Sequence, residues 1–373
     1  MIRGAARPMV VTRLWRDFML VALVVMGCCA TSALSAQTVT EGFSPALSRV
    51  ASQALPEGNG ATVAAIQARG KVQCGTNTIS GFALPNETGQ WSGMMVDLCR
   101  ALAAAVLSDS HKIEIVSVES KSRFKALSTH QIDVLLDGAT WTLERDVAMG
   151  LSFPATWLYD GQAFLTRPSL GIHTAKALGN HSVCVTDGTT SRRNLEDYLR
   201  RTGQVPPVII AQTDEGAWNS FIKGRCDVLT NDRFGLLTRA RQYSGEWKDF
   251  VLLPELISKE PLGPVVREED QKWFKLVRWV IMAMVDAEEL GVTSSNINHL
   301  QADDVQTLIL TGKGEDYGPA LGIAPGWARR VIEQVGNYGE VFDRDLGSLS
   351  PFLSGRGVNA LWDREGILYA PPL

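Results

Sequence analysis

Ile132-Asp133-Val134-Leu135-Leu136 and Cys226-Asp227-Val228-Leu229-Thr230 are two short apolar runs that share an Asp-Val-Leu triplet, and the fold is read outward from them. Each follows a segment with a bulky apolar face at helical spacing, Arg123 to Leu127 before the first and Trp218 to Lys223 before the second. Short apolar runs bounded by polar or glycine residues read as buried strands. Upstream of the first run, Val72-Gln73-Cys74 is a strand stopped by Gly75. Met95, Leu98, Cys99, Leu102 and Val106 then fall at helical spacing, and Ile113 to Val118 is a further strand. Upstream of the second run the order repeats: strand Ser182 to Val185, helix Asn194 to Arg201, strand Pro207 to Ile210. Strands separated by helices build parallel sheets from βαβ units, so the chain reads as two α/β lobes of similar architecture.

The connections set the domain limits. Tyr159 to Leu165 leads out of the first half, and the chain returns through Glu255 to Val266, where Lys259-Glu260-Pro261-Leu262-Gly263-Pro264 sets a stiff, extended path. The next helix carries Trp273, Phe274, Val277, Val280, Ile281, Met284 and Val285 at core spacing and is expected to pack on the first lobe. Lobe 1 is thus expected over 68–164 with 257–300, and lobe 2 over 165–256. Two crossings make a hinge and leave a cleft between the lobes. Residues 37–67 read as a lead-in and 301–373 as a mainly helical extension packing on a lobe. In it, Trp327 to Val335 forms an amphipathic helix and the aromatic end runs through Trp362, Leu368 and Tyr369.

The first 36 residues read as a secretory signal: Arg3, Arg7, Arg13 and Arg16, an apolar stretch from Phe18 to Ala30, then small residues ending at Ala36. Cleavage before Gln37 is expected. Val25-Met26-Gly27-Cys28 loosely resembles a lipoprotein signal, but Met26 fits it badly, so a lipid anchor at Cys28 is the lesser alternative. The 373 residues carry a formal charge of −4, about −7 without the signal, which offers nucleic acid no global attraction. A composition of 45% hydrophobic and 20% charged residues excludes disordered, collagenous and coiled-coil proteins. From about residue 70 onward no uncharged apolar run approaches a membrane span. Export leaves Cys74, Cys99, Cys184 and Cys226 in an oxidising compartment, where three pairings are open. One disulfide within each lobe, Cys74–Cys99 and Cys184–Cys226, fits a hinge that must move. No spacing suggests a metal, and no cofactor is expected.

Ligands of open α/β sheets bind beyond the carboxyl ends of the strands, and those ends are polar here. Asp137-Gly138-Ala139-Thr140-Trp141-Thr142-Leu143-Glu144-Arg145 follows one, Thr186-Asp187-Gly188-Thr189-Thr190 another, and Thr230-Asn231-Asp232 ends a third. Gly188-Thr189-Thr190 at a helix start offers backbone N–H groups and two hydroxyls to a carboxylate. Arg145 offers a fork for the same group, and Asp232 an acceptor for an ammonium. Together they describe an α-amino acid. Taken singly, each has a plainer reading: a helix cap, a surface ion pair and another cap.

The run from Lys71 to about Leu300 resembles the periplasmic solute-binding proteins of polar amino-acid ABC importers, and is most similar to the general L-amino-acid binding subfamily. VQCGTN (Val72 to Asn77), MMVDLCRALAAAV (Met94 to Val106), ATWTLERD (Ala139 to Asp146), SVCVTDGTT (Ser182 to Thr190), GRCDVLTND (Gly224 to Asp232) and ISKEPLGPVVR (Ile257 to Arg267) carry the resemblance. NALWDREGILYAPP (Asn359 to Pro372) extends it into the tail. The resemblance implies two Rossmann-like lobes on a two-segment hinge, the type II periplasmic binding protein fold. It implies a monomer that closes on one L-amino acid, of polar, acidic or amide type, and delivers it to an inner-membrane ABC permease.

Residue by residue, it assigns the α-carboxylate to Arg145, Thr140, Thr189 and Thr190, the α-ammonium to Asp232, and an acidic side chain to Arg123. Asn77 sits on the loop nearest the ligand. This chain departs from the family at Asp137-Gly138, where a polar or basic pair is usual. Gly138 removes a ligand-facing side chain, and Asp137, if it faces the pocket, disfavours glutamate and aspartate. Two alternatives share the fold: a dehydratase acting on cyclic carboxylic acids, which needs a general acid or base in the cleft, and a ligand sensor serving a receptor. The five histidines (His111, His130, His173, His181, His299) fall outside the cleft segments, which argues against the enzyme.

Overall fold

The structure is a computed structural model that describes residues 59–79, 81–244, 249–349 and 355–373. The expected signal, its cleavage site, Cys28 and most of the lead-in lie outside the described residues.

In the first lobe, strands β1 (Val72–Thr76), β2 (Ile113–Ser117) and β3 (Val134–Leu135) form a parallel sheet in the order β2-β1-β3. Helices α1 (Ala61–Arg69), α2 (Met94–Leu107), α3 (Arg123–Ser128) and α4 (Leu143–Ala148) surround it. The composition of α2, rich in Met, Leu and Ala, costs little side-chain freedom, and twelve of its fourteen residues are buried. Its Cys99 meets Cys74 of β1 in a disulfide, Cα to Cα 6.2 Å.

The second sheet contains β4 (Gln162–Thr166), β5 (Val183–Thr186), β6 (Val208–Ala211), β7 (Val228–Asp232) and β8 (Val251–Leu252), in the order β6-β5-β7-β4-β8. Strand–helix alternation accounts for β5, β6 and β7, which run parallel. The β4 segment, part of a connection by the sequence pattern, is a fully buried strand paired antiparallel with β7. It enters this sheet directly from the first lobe and therefore runs against its neighbours. Helices α5 (Thr190–Thr202), α6 (Asp214–Ile222) and α7 (Arg233–Ser244) follow β5, β6 and β7. Cys184 on β5 bonds Cys226, which lies just ahead of β7 rather than within it, Cα to Cα 5.8 Å.

The two crossings run side by side, Leu158–Asp160 pairing antiparallel with Glu260–Leu262. The returning helix α8 (Gln271–Glu289) buries Trp273, Val277, Val280, Ile281 and Met284 in the core that also holds α2. The C-terminal helices α9 (Trp327–Gln334) and α10 (Tyr338–Asp345) join the same core through Val331, Ile332, Tyr338 and Phe342. Asn359, fully buried, accepts from Tyr159 N at 2.7 Å and donates to Tyr159 O at 2.8 Å, tying the extension to a hinge strand. In the C-terminal end, Leu368 packs in the core. Trp362 and Tyr369 stay exposed and pack on each other, because their rings lie on the outer side of a short tail.

Candidate functional site

A cavity of about 30 Å³ is lined by Asn77 and Ile79 after β1, Ser120 and Arg123 after β2, Asp137, Gly138 and Thr140 after β3, Thr189 to Ser191 after β5, Asp214 after β6, and Asn231 and Asp232 closing β7. Every lining group therefore stands at the carboxyl end of one of the six parallel strands, the position at which such sheets collect ligands. Eight residues singled out by sequence meet here: Asn77, Arg123, Asp137, Gly138, Thr140, Thr189, Thr190 and Asp232. Arg145 lines an adjoining outer cavity of about 430 Å³, which shares Ser120 and Thr189 with the inner one.

The lobes are closed on each other. The hydroxyls of Thr140 and Thr190 lie 3.2 Å apart across the cleft. Asp214 accepts from Asn77 Nδ2 at 3.3 Å and from Ser120 Oγ at 3.1 Å. Lys121 Nζ reaches Asp187 and Gln212 of the second lobe, each at 2.6 Å. Arg193 pairs with Glu144 at the rim.

Arg145 is placed by α4, whose N-cap Thr142 accepts from Arg145 N at 3.3 Å. Its guanidinium donates to Thr140 O at 2.7 Å and lies 5.1 Å from the Phe124 ring. Among the described residues no carboxylate pairs with it, and burial together with the nearby Arg123 lowers it to about 10. This is a buried cation with capacity for an anion. Opposite stands the start of α5, where Thr189 adopts extended backbone and its hydroxyl accepts from Arg192 N while donating to Thr186 O at 2.7 Å. That hydroxyl is occupied by the helix cap, and the Thr190 hydroxyl lies within hydrogen-bond reach of Thr140 and Glu260, so the groups this tip offers a ligand are its first backbone N–H groups.

Asp232 is half-buried beside other acids, its Oδ1 enclosed. Burial first, then Glu260, Asp160 and Asp214, hold its pKa well above the usual carboxylate range, and its Oδ1 has no partner among the described residues. A buried carboxylate in that state is stabilised by an incoming cation. Arg123 does not stand alone, because its NH1 donates to Asp137 Oδ2 at 2.8 Å, both side chains buried. Asp137 faces the cavity. Gly138 turns the chain with φ +73°, a left-handed conformation that favours glycine.

Ile79, Ser120, Ser191, Asp214 and Asn231 complete the lining and are not singled out by sequence. The same strand-end rule points to Asp214, which follows Val208–Ala211 at the first position of α6. None of the five histidines lines either cavity. Among the described residues no cluster of His, Cys, Asp and Glu is placed to hold a metal, and no helix is long and apolar enough to cross a membrane.

The chain is 41% identical over 317 residues to a general L-amino acid-binding periplasmic protein of Rhizobium johnstonii, covering 84% of this chain and 92% of the relative. It is 42% identical over 311 residues to a glutamate/glutamine/aspartate/asparagine-binding protein of Rhodobacter capsulatus, covering 82% and 91%. A solved periplasmic binding protein of an ABC transporter from Brucella ovis, with glutathione bound, superposes with a TM-score of 0.80 at 39% identity, covering 83% of this chain and 98% of that one. The first two are named as amino-acid-binding proteins and the third as a periplasmic binding protein of an ABC transporter; none of the three is named as an enzyme. The pattern of the bacterial extracellular solute-binding proteins, family 3, matches residues 72–295, and the chain belongs to that family.

Proposed function

We propose that the protein binds one L-amino acid between its lobes in the periplasm and, as a monomer, delivers it to an inner-membrane ABC permease. One observation carries the reading: a guanidinium, a helix tip with backbone N–H groups and an aspartate, the first and last without an opposite charge or donor among the described residues, border two adjoining cavities that meet at Ser120 and Thr189. That is the complement of a zwitterion. Arg145, the α5 tip at Thr189 and Thr190, and the Thr140 hydroxyl take the α-carboxylate. Asp232 takes the α-ammonium. Asn77, Arg123, Asp137 and Gly138 face the side chain. The ligand touches both lobes only when they are shut, so it shifts the hinge equilibrium toward the closed form by its differential affinity. The permease reads that form. The names of the Rhizobium and Rhodobacter relatives support the ligand class.

A second reading is favoured by the outer cavity and by the glutathione of the Brucella protein: a short peptide whose amino-acid head occupies the inner site while the rest extends past Ser120 and Thr189. Calorimetric titration with the twenty L-amino acids and glutathione tests both. Saturable binding of at least one amino acid supports the first reading; binding of glutathione alone supports the second. Heat from neither, in protein shown to be folded, rejects the site.

A further inference from the structure

We propose that Asp137 turns the side-chain end of this site away from acidic ligands and toward a carboxamide, so that glutamine or asparagine is taken in preference to glutamate or aspartate; this rests on the amino-acid reading above. Arg123 is the only guanidinium among the residues lining the inner cavity, and Asp137 already neutralises it at 2.8 Å. Arg123 is 5% exposed and Asp137 4%, so neither charge is dispersed by water. An entering side-chain carboxylate meets a like charge beside the cation it seeks. With Asp214 and Asp232 also in the wall, acids outnumber bases around the inner cavity.

The unmatched hydrogen-bonding groups specify the ligand more narrowly. Among the described residues, Asn77 Oδ1, Asp137 Oδ1 and Asp232 Oδ1 are buried acceptors without a donor, and Arg123 Nε is a buried donor without an acceptor. Asn77 is held in this orientation because its Nδ2 donates to Asp214. The α-ammonium satisfies Asp232. What remains is two acceptors and one donor. A carboxamide presents two N–H donors and a carbonyl acceptor, which completes the set. A carboxylate presents acceptors alone and leaves Asn77 Oδ1 and Asp137 Oδ1 buried and unpaired, which is penalised.

Titration calorimetry of the purified protein with glutamine, asparagine, glutamate and aspartate at pH 7.5 tests this. Each amide should bind at least ~10-fold more tightly than its acid, and Asp137→Asn should narrow that ratio at least ~10-fold through a gain in affinity for the acid. Glutamate binding as tightly as glutamine in the unaltered protein overturns the proposal, as does an unchanged ratio in folded Asp137→Asn. If the variant does not fold, the ratio in the unaltered protein decides alone. Binding of other amino acids but none of these four overturns the proposal and leaves the amino-acid reading standing, whereas binding of no amino acid at all removes that reading itself.

Discussion

Asp232→Asn should move two observables in opposite directions, which separates a ligand contact from a structural support. The side chain ends β7 inside the cleft, one oxygen has no partner among the described residues, and burial first, then three neighbouring acids, hold its pKa up. An ammonium about 3 Å from an ionised Asp232 gains roughly 5 kcal/mol at an effective dielectric of about 20. Dehydrating both ions offsets part of that, and removing one partner of a buried charge pair costs about 2–5 kcal/mol. The dissociation constant for every bound amino acid should therefore rise about 30- to 5,000-fold. Without ligand the sign reverses. Closing the lobes then buries a partnerless carboxylate, and the neutral amide removes that penalty. The ligand-free variant should be more compact by small-angle scattering and melt higher, while calorimetry shows weakened binding. An affinity within threefold of the unaltered protein, or a ligand-free variant more open than it, would refute the reasoning.

Arg145→Ala should weaken all amino acids together by about 2–5 kcal/mol, since it removes a contact to the group they share; calorimetric losses confined to one ligand class would contradict that role. Replacing Cys184 and Cys226 by serine opens a closure of 42 residues and should lower stability by about 4 kcal/mol on the chain-entropy account, read as a lower denaturation midpoint. Asp286 is buried on α8 with a free oxygen, and burial, then Glu289, pushes its pKa up to about 7. Between about pH 4 and 7 the folded protein holds a proton that the unfolded chain has released, so this residue lowers stability as pH rises through that window. Asp286→Asn should therefore stabilise at pH 8, on the order of 1 kcal/mol, and change little at pH 4; thermal melts at the two pH values check it.

Six parallel strands were legible because each is a short apolar run between a helical pattern and a polar exit, and the exits alone lead to most of the cleft lining. Asn77, Thr140, Thr190 and Asp232 are found that way. Strand β4 was not, because Gln162-Ala163-Phe164-Leu165-Thr166 lies at a lobe crossing, where an extended connection and a strand read alike. The Arg123–Asp137 pair was half legible: each residue draws notice, but their contact depends on how α3 packs beside the end of β3. The separation of Arg145 into the outer cavity, and the use of Asp214 to bridge the lobes, depend on the closure angle, which no local pattern encodes. The large apolar residues of the tail are a weak guide to burial, because which of two neighbours meets the core depends on how the tail runs over it: Leu368 is covered and Tyr369 is not.

The account is tested most directly by a crystal structure grown with whichever amino acid binds most tightly. It predicts one ligand between the lobes, the α-carboxylate on Arg145 and the tip of α5, and the α-ammonium within hydrogen-bonding distance of Asp232. A ligand seated elsewhere, or one in the cleft with its ammonium turned away from Asp232, would contradict it.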